Sequence, residues 1–404
     1  MKDLSATELC VKCGLCLPHC PTFTLTGNEA DSPRGRISLM QSLQQTNPAL
    51  SPGLFRHLDR CLQCHACEAM CPSKVPFEAL MDTARAQLEP QRQRGIVKRL
   101  NRNLGLYLIA SPLAQRLAAA GLKVLQTLQL DKLLKSSPIL PERAKYALRL
   151  LPERQPGRIK LRTKKQVTAP LQHVQLFTGC TGDLFDRTTL NATQKLLDRL
   201  GYSVAIPTGQ TCCGALHLHN GEPLEAGRMA AANVTAFPGM EPVITIASGC
   251  QARLKNYVTE YSEAGDFSNR ITDILSFILE RGNAGLEFKP VKATVALHIP
   301  CTQRNALEQA ETAAQALAWI PGLRVTRLNP NGGCCGAAGS YMLTQQQLSE
   351  SLSQPMADAF MASGARQLVT TNIGCALQLR AALRKRDASV EVLHPVTLIE
   401  RALI

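Results

Sequence analysis

The pattern of apolar and polar positions divides the second half of the chain into two similar series of strands and helices. In the first series, strands are predicted at 173–178, 203–206 and 242–247, with a helix at 191–200. In the second series, strands are predicted at 293–298, 324–328 and 367–371, with helices at 306–319 and 345–361. Alternating strands and helices favour an α/β fold with parallel strands. The chain therefore contains an internal duplication.

Cysteines follow the predicted strands at matching places in the two series. They form two groups of four, related by a shift of about 120 residues: Cys180, Cys212, Cys213 and Cys250, and Cys301, Cys334, Cys335 and Cys375. The carboxyl ends of parallel strands form the edge of a sheet where ligands bind. Adjacent cysteines do not easily form a relaxed disulfide. The groups predict one or two redox or metal centres, and the alternative is eight buried structural thiols.

The N-terminal part carries a tighter cysteine run twice, 51 residues apart. The two runs are Cys10-x2-Cys13-x2-Cys16-x3-Cys20-Pro21 and Cys61-x2-Cys64-x2-Cys67-x3-Cys71-Pro72. Runs of this spacing hold two 4Fe-4S clusters, and the fourth cysteine of each run binds the cluster of the other. The predicted ligand sets are Cys10, Cys13, Cys16 and Cys71 for one cluster, and Cys61, Cys64, Cys67 and Cys20 for the other.

Zinc and disulfides are the alternatives for these runs. A zinc site is usually closed by two Cys-x2-Cys pairs, and a third cysteine at the same spacing would be surplus. Disulfides need an oxidising compartment, but the first ten residues have no apolar run of the signal-peptide kind. Iron–sulfur clusters are therefore the favoured interpretation, and the chain is expected to carry electrons in the cytoplasm.

The cysteine patterns resemble those of a known family. The double-cysteine repeats look like the cysteine-rich CCG domains of heterodisulfide reductases, and together with the N-terminal runs they resemble the iron–sulfur subunit of bacterial glycolate oxidase. The closest local matches are Asp31-Ser32-Pro33-Arg34-Gly35-Arg36, Cys212-Cys213-Gly214-Ala215-Leu216-His217 and Cys334-Cys335-Gly336-Ala337-Ala338-Gly339. The resemblance implies that a flavin and a hydroxy-acid site lie on partner subunits.

Both repeats depart from the full CCG pattern at the same position. That pattern ends in Cys-x2-Cys, but here Cys250 is followed at this spacing by Arg253, and Cys375 by Gln378. The non-cubane cluster of the reductases uses five cysteines per domain, and only four are present in each repeat. A different cluster, a fifth ligand that is not cysteine, one shared centre and an empty site all remain open.

The positive charge of the chain is concentrated in its middle. Of a net charge of +14, residues 91–166 contribute 18 Lys or Arg and three acidic residues, so the remainder is near neutral. Leucine-rich stretches lie between these charges, at 104–108, 113–117 and 122–130. No apolar run reaches the roughly 20 residues that span a bilayer. An anionic membrane surface, an acidic partner and packing on the chain's own domains are three interpretations, whereas no nucleic-acid motif accompanies the charge.

Four parts are predicted along the chain. They are an α-helical ferredoxin domain at 1–90, a basic helical connector at 91–170, and two CCG domains at 171–285 and 286–404, related by a pseudo-twofold axis. The cofactors expected are two 4Fe-4S clusters, with one or two further iron–sulfur centres in the CCG domains. Candidate additional ligands or proton donors are His217, His219 and His298, which the alternative interpretation treats as ordinary hydrogen-bonded residues.

The expected role is that of an electron-transfer subunit of a flavin-dependent glycolate dehydrogenase. The sequence has no dinucleotide fingerprint and no P-loop, so the chain is not expected to oxidise substrate alone. The expected partners are an FAD-containing subunit and a membrane quinone, at the inner face of the cytoplasmic membrane. Equivalent subunits of lactate or anaerobic glycerol-3-phosphate dehydrogenases, a thiol-disulfide reductase and a zinc-bearing scaffold are the alternatives.

Overall fold

Three kinds of structure follow one another along the chain: a helical N-terminal domain, a helical middle segment and two α/β units. The computed structural model describes residues 3–45, 50–128, 140–152, 155–157, 159, 172–283, 285–330, 332–388 and 390–404.

Five short helices pack around one core in the N-terminal domain. They are α1 (Pro21–Thr26), α2 (Pro33–Ser42), α3 (Pro52–Asp59), α4 (Ala66–Ala69) and α5 (Phe77–Leu88). The first three begin with proline at the first helical position, where its missing N–H is not needed. Ile37, Met40, Leu58 and Met81 are buried between the helices. The first cysteine run precedes α1, and the second extends from the end of α3 past α4, with Cys67 on α4 itself.

Each α/β unit is built on a parallel four-stranded sheet. The strands are β1 (Gln172–Leu176), β2 (Tyr202–Ala205), β3 (Val243–Thr245) and β4 (Ile271–Asp273), then β5 (Thr294–His298), β6 (Arg324–Arg327), β7 (Gln367–Thr370) and β8 (Glu391–Leu393). The strand orders are β2-β1-β3-β4 and β6-β5-β7-β8. This identity of topology is the structural counterpart of the repeated cysteine pattern. The predicted fold class, a helical ferredoxin domain joined to two duplicated α/β units, is confirmed.

The helices of the two units lie on both faces of the sheets. In the first unit they are α9 (Gly179–Phe185), α10 (Arg187–Arg199), α11 (Ala215–His219), α12 (Pro223–Ala236), α13 (Ser248–Lys255), α14 (Tyr257–Glu260), α15 (Gly265–Asn269) and α16 (Ile274–Arg281). In the second unit they are α17 (Thr312–Leu317), α18 (Tyr341–Thr344), α19 (Gln346–Ala362), α20 (Ile373–Arg384) and α21 (Pro395–Ala402). The helix predicted at 306–319 is shorter than expected, because Glu308 has a positive φ of 56° that no α-helix tolerates.

The two units share one apolar core. Val174 and Leu176 from β1 lie in the same buried cluster as Val295 and Leu297 from β5. Close to the cysteine groups, the backbone N–H of Ser248 donates to the carbonyl of Thr371 at 3.1 Å. The cysteine-bearing strand ends of both units therefore approach the same interface.

The middle segment packs against the domains on either side. Its described helices are α6 (Ile96–Ala110), α7 (Pro112–Thr127) and α8 (Glu142–Leu150). Tyr146 of α8 is buried in the second α/β unit, where its hydroxyl donates to Gln378 at 2.5 Å. Arg102 of α6 pairs with Glu222 at 2.8 Å. The end of the leucine-rich stretch predicted at 122–130 lies outside the described residues.

Neither α6 nor α7 has the properties of a membrane-spanning helix by itself. Among the described residues no single helix has the length and apolarity that a span requires, although α6 and α7 together pass that test while bent by 96° from each other.

Candidate iron-sulfur centres

The cysteines of the second run surround a cavity together with the last cysteine of the first run. Cys61, Cys64 and Cys67 line it from one loop, and Cys20 reaches it from the other. The cavity has a volume of about 400 Å³, measured out to its open mouth. These four residues are the ligand set that the sequence predicts for one cluster. Four soft thiolates around one space are the donors that an iron–sulfur cluster requires.

A buried arginine stands behind this cavity. Arg36 is 1% exposed, and its Nη1 lies 3.9 Å from the sulfur of Cys20. Its Nη2 donates to Thr22 at 3.0 Å and its Nε donates to the carbonyl of His57 at 2.8 Å. The fully buried carboxylate of Asp31 lies 3.6 Å from Nη2 of Arg36 and is closer, at 3.0 Å, to Nη1 of Arg60. A permanent positive charge at this sulfur favours the reduced, more negative state of a cluster bound there.

Glycine in the same motif permits this arrangement. A side chain at Gly35 would meet the carbonyl oxygen of Glu29 at 1.9 Å, so only glycine fits beside this turn. Helix α2 can therefore start at Pro33 and direct Arg36 inward while Arg34 remains nearer the surface. The motif from Asp31 to Arg36 thus has a structural role, because it turns the chain closely at Gly35 and directs Arg36 toward Cys20.

A second positive charge also lines this cavity. His65, between Cys64 and Cys67, has its Nε2 3.3 Å from Glu78 and its Nδ1 3.6 Å from Glu68. Burial opposes a charge on this ring, but the two carboxylates outweigh it and raise the pKa of His65 to about 10. The imidazolium is therefore present at neutral pH, next to the thiols.

The first run lies nearer the surface. Cys13 is exposed, and Cys10 and Cys16 are half-buried. Burial, and then the nearby charges of Cys10 and Cys13, raise the pKa of Cys16. Cys71 is half-buried against the same core as Cys10, so it lies in the same region of the domain. Its assignment to this set stays a prediction.

Arg34 covers the loop of the first run. Its Nη1 donates to the carbonyl of Lys12 at 3.4 Å, and a side chain at Gly14 would come within 3.1 Å of it. Both arginines of the motif are therefore next to cysteine loops, one at each predicted cluster.

The structure brings the four cysteines of the first α/β unit together. Cys212 contacts Cys180 and Cys213, and Cys213 contacts Cys250. The hydrogen bonds from Cys212 and Cys250 lower the pKa of Cys213. The hydrogen bond with Cys180, then that with Cys213 and burial, raise the pKa of Cys212, and the hydrogen bond with Cys213 and burial raise the pKa of Cys250. Four sulfur atoms that already contact one another are a soft, preassembled donor set.

The second α/β unit repeats this arrangement at deeper burial. Cys301 contacts Cys334, Cys334 contacts Cys335, and the sulfur atoms of Cys335 and Cys375 are 2.8 Å apart. His298 lies with Cys335 and Cys375 in a buried group whose ligand atoms are all within 4.8 Å of one another. Among the described residues, no other cysteine group has a histidine nitrogen within this distance of its sulfur atoms.

The other two candidate histidines lie outside the sulfur groups. Nδ1 of His219 is 3.1 Å from Asp82 of α5, so this residue joins the first α/β unit to the N-terminal domain. His217 is buried on α11, and burial lowers its pKa. Arg85 was not predicted from the sequence: its guanidinium donates to the carbonyls of Cys61 and His219, both at 2.9 Å. An arginine that binds carbonyl oxygens far apart in the chain leaves no local signal.

The cysteine groups fit iron–sulfur centres. The fold has already assembled the thiols of the second run with Cys20 and those of both α/β units. Arg36 and His65 add positive charge beside the first of these three groups, and His298 adds a buried nitrogen without a partner to the group in the second α/β unit. A bound iron–sulfur cluster accepts and releases one electron at a time. The protein residues hold the sulfur ligands in place, supply the neighbouring charges and keep the deeper groups away from water.

Comparison with protein families identifies the class. The model of a 4Fe-4S dicluster domain matches residues 6–75, and that of a cysteine-rich domain matches residues 174–255 and 295–380. The protein is therefore an iron–sulfur electron-transfer protein with several clusters.

Relatives of nearly full length define the family. The chain is 31% identical to the glycolate oxidase iron–sulfur subunit of Escherichia coli, over 99% of this chain and 95% of that protein. It is 30% identical to the probable glycolate oxidase iron–sulfur subunit of Bacillus subtilis, over 97% of this chain and 93% of that protein. Lactate utilization protein A of Bacillus subtilis is 26% identical over 55% of this chain and 96% of its own. The chain belongs to the family of glycolate oxidase iron–sulfur subunits.

Proposed function

We propose that this chain passes electrons from a flavin on a partner subunit to a membrane quinone, within a dehydrogenase complex that oxidises glycolate. The observation that carries the proposal is the order of the cysteine groups, from an exposed group through a buried one to a group in the second α/β unit. Such an order forms a path through the protein.

The entry end of the path is the loop of the first run. Cys13 is exposed there, and the neighbouring side chains of Leu9, Val11 and Leu15 are also exposed, Val11 to 71%. An apolar rim around a redox site suits a protein partner, because burying that rim brings the donor close to the cluster. We propose that the flavoprotein subunit docks here.

The path continues from the second run into the second α/β unit. Burial, and then the nearby charge of Cys301, raise the pKa of Cys64, and Cys64 in turn contributes to the raised pKa of Cys334. Asn305 donates to the carbonyl of Cys64 at 2.8 Å, which holds the two loops together. The hydrogen bond with Cys334 and burial raise the pKa of Cys301, and the positive charge of His65 opposes this rise only in part.

A flavin partner follows from electron counting. A 2-hydroxy acid gives up two electrons as a hydride, whereas each cluster takes one electron at a time. A flavin can accept the hydride and release its electrons singly. The chain itself has no dinucleotide fingerprint in its sequence.

Glycolate is favoured over lactate by the extent of the similarity. The proteins named as glycolate oxidase subunits match this chain over nearly its whole length, but lactate utilization protein A matches only 55% of it. Of these three relatives, only the two glycolate oxidase subunits therefore match both the N-terminal cluster domain and the two α/β units.

The purified chain is expected neither to bind FAD nor to oxidise glycolate, lactate or glycerol 3-phosphate. Activity with a soluble quinone should appear only when the flavoprotein partner is added, and glycolate should be the preferred substrate. The measurements are flavin content, substrate-dependent bleaching of the clusters and quinone reduction. Stoichiometric FAD in the isolated chain, or turnover by it, would contradict the proposal.

We further propose that α6 and α7 bind the protein to an anionic membrane surface at the cytoplasmic face. Ile96, Leu100, Leu104 and Tyr107 recur at helical spacing on α6, and all four are more than half exposed. Leu113 and Leu117 extend this apolar surface onto α7. The basic residues of the segment, each contributing on the order of 1 kcal/mol near anionic lipid, complement such a membrane rather than an apolar protein groove.

Flotation with lipid vesicles tests this second proposal. The protein should float with vesicles that contain phosphatidylglycerol, remain free with pure phosphatidylcholine, and be released by concentrated salt because screening shortens the attraction. Glutamine at Ile96, Leu100 and Leu104 should abolish flotation. The matched control is glutamine at Leu224 and Met240, which are equally exposed elsewhere. Equal flotation of both variants would contradict membrane binding by α6.

A further inference from the structure

His298 occupies a special place at the end of β5. It is 1% exposed and stands three residues before Cys301, at the strand end where the second cysteine group assembles. One of its ring nitrogens and the sulfur atoms of Cys335 and Cys375 lie within 4.8 Å of one another. A histidine in such a position either donates to a sulfur or shares a metal with it.

The hydrogen bonds of His298 leave one nitrogen available. Nδ1 is 3.0 Å from the hydroxyl of Thr370, on the neighbouring strand β7. Nε2 is buried and has no hydrogen-bond partner among the described residues. A buried nitrogen without a partner is costly, unless something outside the chain binds it. Metal-binding histidines usually show this arrangement, with the second nitrogen held by a protein hydrogen bond.

The residues at the place of a fifth cysteine cannot act as ligands. Gln378, three residues after Cys375, accepts from Tyr146 and donates to Ser353 and to the carbonyl of Ser349. Its amide is therefore fully engaged away from the sulfur atoms. The second cysteine group thus offers four thiols and the unpaired nitrogen of His298 as ligands, whereas Gln378 offers none.

The first α/β unit differs at both corresponding positions. Phe177 stands where the second unit has His298, and Arg253 stands where it has Gln378. Phe177 has no ligand atom, and Arg253 is a cation paired with Glu260. The two cysteine groups are therefore alike in their thiols but not in their additional donors.

We propose that Nε2 of His298 is a ligand of the iron–sulfur centre in the second α/β unit, alongside the thiolates of Cys301, Cys334, Cys335 and Cys375. Thr370 would hold the ring by accepting from Nδ1–H, which leaves the lone pair of Nε2 for the metal. The first α/β unit has no such ligand, so the two centres differ in their coordination. This inference does not depend on which substrate or acceptor the complex uses.

Pulsed EPR of the whole chain, labelled with ¹⁵N in histidine alone and reconstituted anaerobically, tests the assignment. In the oxidation state that makes the second-unit centre paramagnetic, one strong ¹⁵N coupling is expected. His298→Phe, which copies the first unit, should remove it. His394→Asn is the matched control, since His394 is equally buried but caps α21 by accepting from the backbone N–H of Val396, and this variant should keep the coupling.

Two further variants separate ligation from packing. His298→Cys supplies a thiolate in place of the imidazole. The centre should therefore persist in this variant without the nitrogen coupling, even if the centre is lost in His298→Phe. Thr370→Val keeps the shape but removes the hydrogen bond, and it should let a chelator remove the iron about 10-fold more readily, whereas Thr397→Val should not.

Three results would overturn the assignment. They are a paramagnetic second-unit centre without histidine coupling in the wild type, a coupling that survives in His298→Phe, and the absence of any signal that depends on Cys335 and Cys375.

Discussion

Serine at Cys20 is expected to remove the cluster of the second run and to leave that of the first. The sulfur of Cys20 lines the same cavity as Cys61, Cys64 and Cys67, and the harder oxygen of serine is a poor substitute for a thiolate on iron. The chain should lose about four irons. Electron transfer from the flavoprotein to the acceptor should stop, because on the proposed path the lost cluster lies between the entry loop and the second α/β unit. Iron and sulfide analysis with EPR measures this.

Double variants show which cluster was lost. Cys20→Ser combined with Cys64→Ser should lose no more iron than Cys20→Ser alone, since both residues serve one cluster. Cys20→Ser combined with Cys13→Ser should lose both clusters. The opposite pattern would mean that each run binds its own cluster, which would contradict the crossed arrangement.

Serine at Cys334 and Cys335 is expected to abolish reduction of the final acceptor while the two N-terminal clusters still become reduced by substrate. These cysteines belong to the group next to Cys64, so on the proposed path their centre is the first that electrons meet after the second run. Freeze-quenched EPR should show reduced N-terminal clusters that are not reoxidised. The protein should keep its N-terminal irons.

The corresponding pair in the first unit provides the comparison. Serine at Cys212 and Cys213 removes the same type of donor, but that group does not adjoin Cys64 through the contacts described above. Substrate-dependent reduction of the second-unit centre should therefore persist in this variant. Normal acceptor reduction by the Cys334 and Cys335 variant would contradict the path.

Local patterns predicted the elements well where the strands are buried. The predicted strand at 293–298 corresponds to β5 and that at 367–371 to β7, because apolar residues of high strand propensity recur there between turns. The fourth strands, β4 and β8, were not predicted. Each has only three residues and lies outside the apolar runs from which the other strands were predicted, and each is defined by pairing with a neighbouring strand.

The middle segment was predicted only in part. Its helices and basic character follow from the sequence, but the burial of Tyr146 in the second α/β unit does not. Tyr146 and Gln378 are separated by 232 positions, and no local pattern carries information over such a distance. The same holds for Arg85, whose carbonyl partners come from two domains.

The sequence by itself determined the class of this protein: sixteen cysteines in two runs and two repeated groups predict the clusters, the duplication and the electron-transfer role, because cluster ligands must follow strict local spacing. Only the tertiary structure decided how those groups are related in space. It brought Cys64 next to Cys301, Arg36 against Cys20, and His298 against Cys335 and Cys375. These contacts arise from the packing of elements that are distant in the chain, and spacing within a motif carries no record of them.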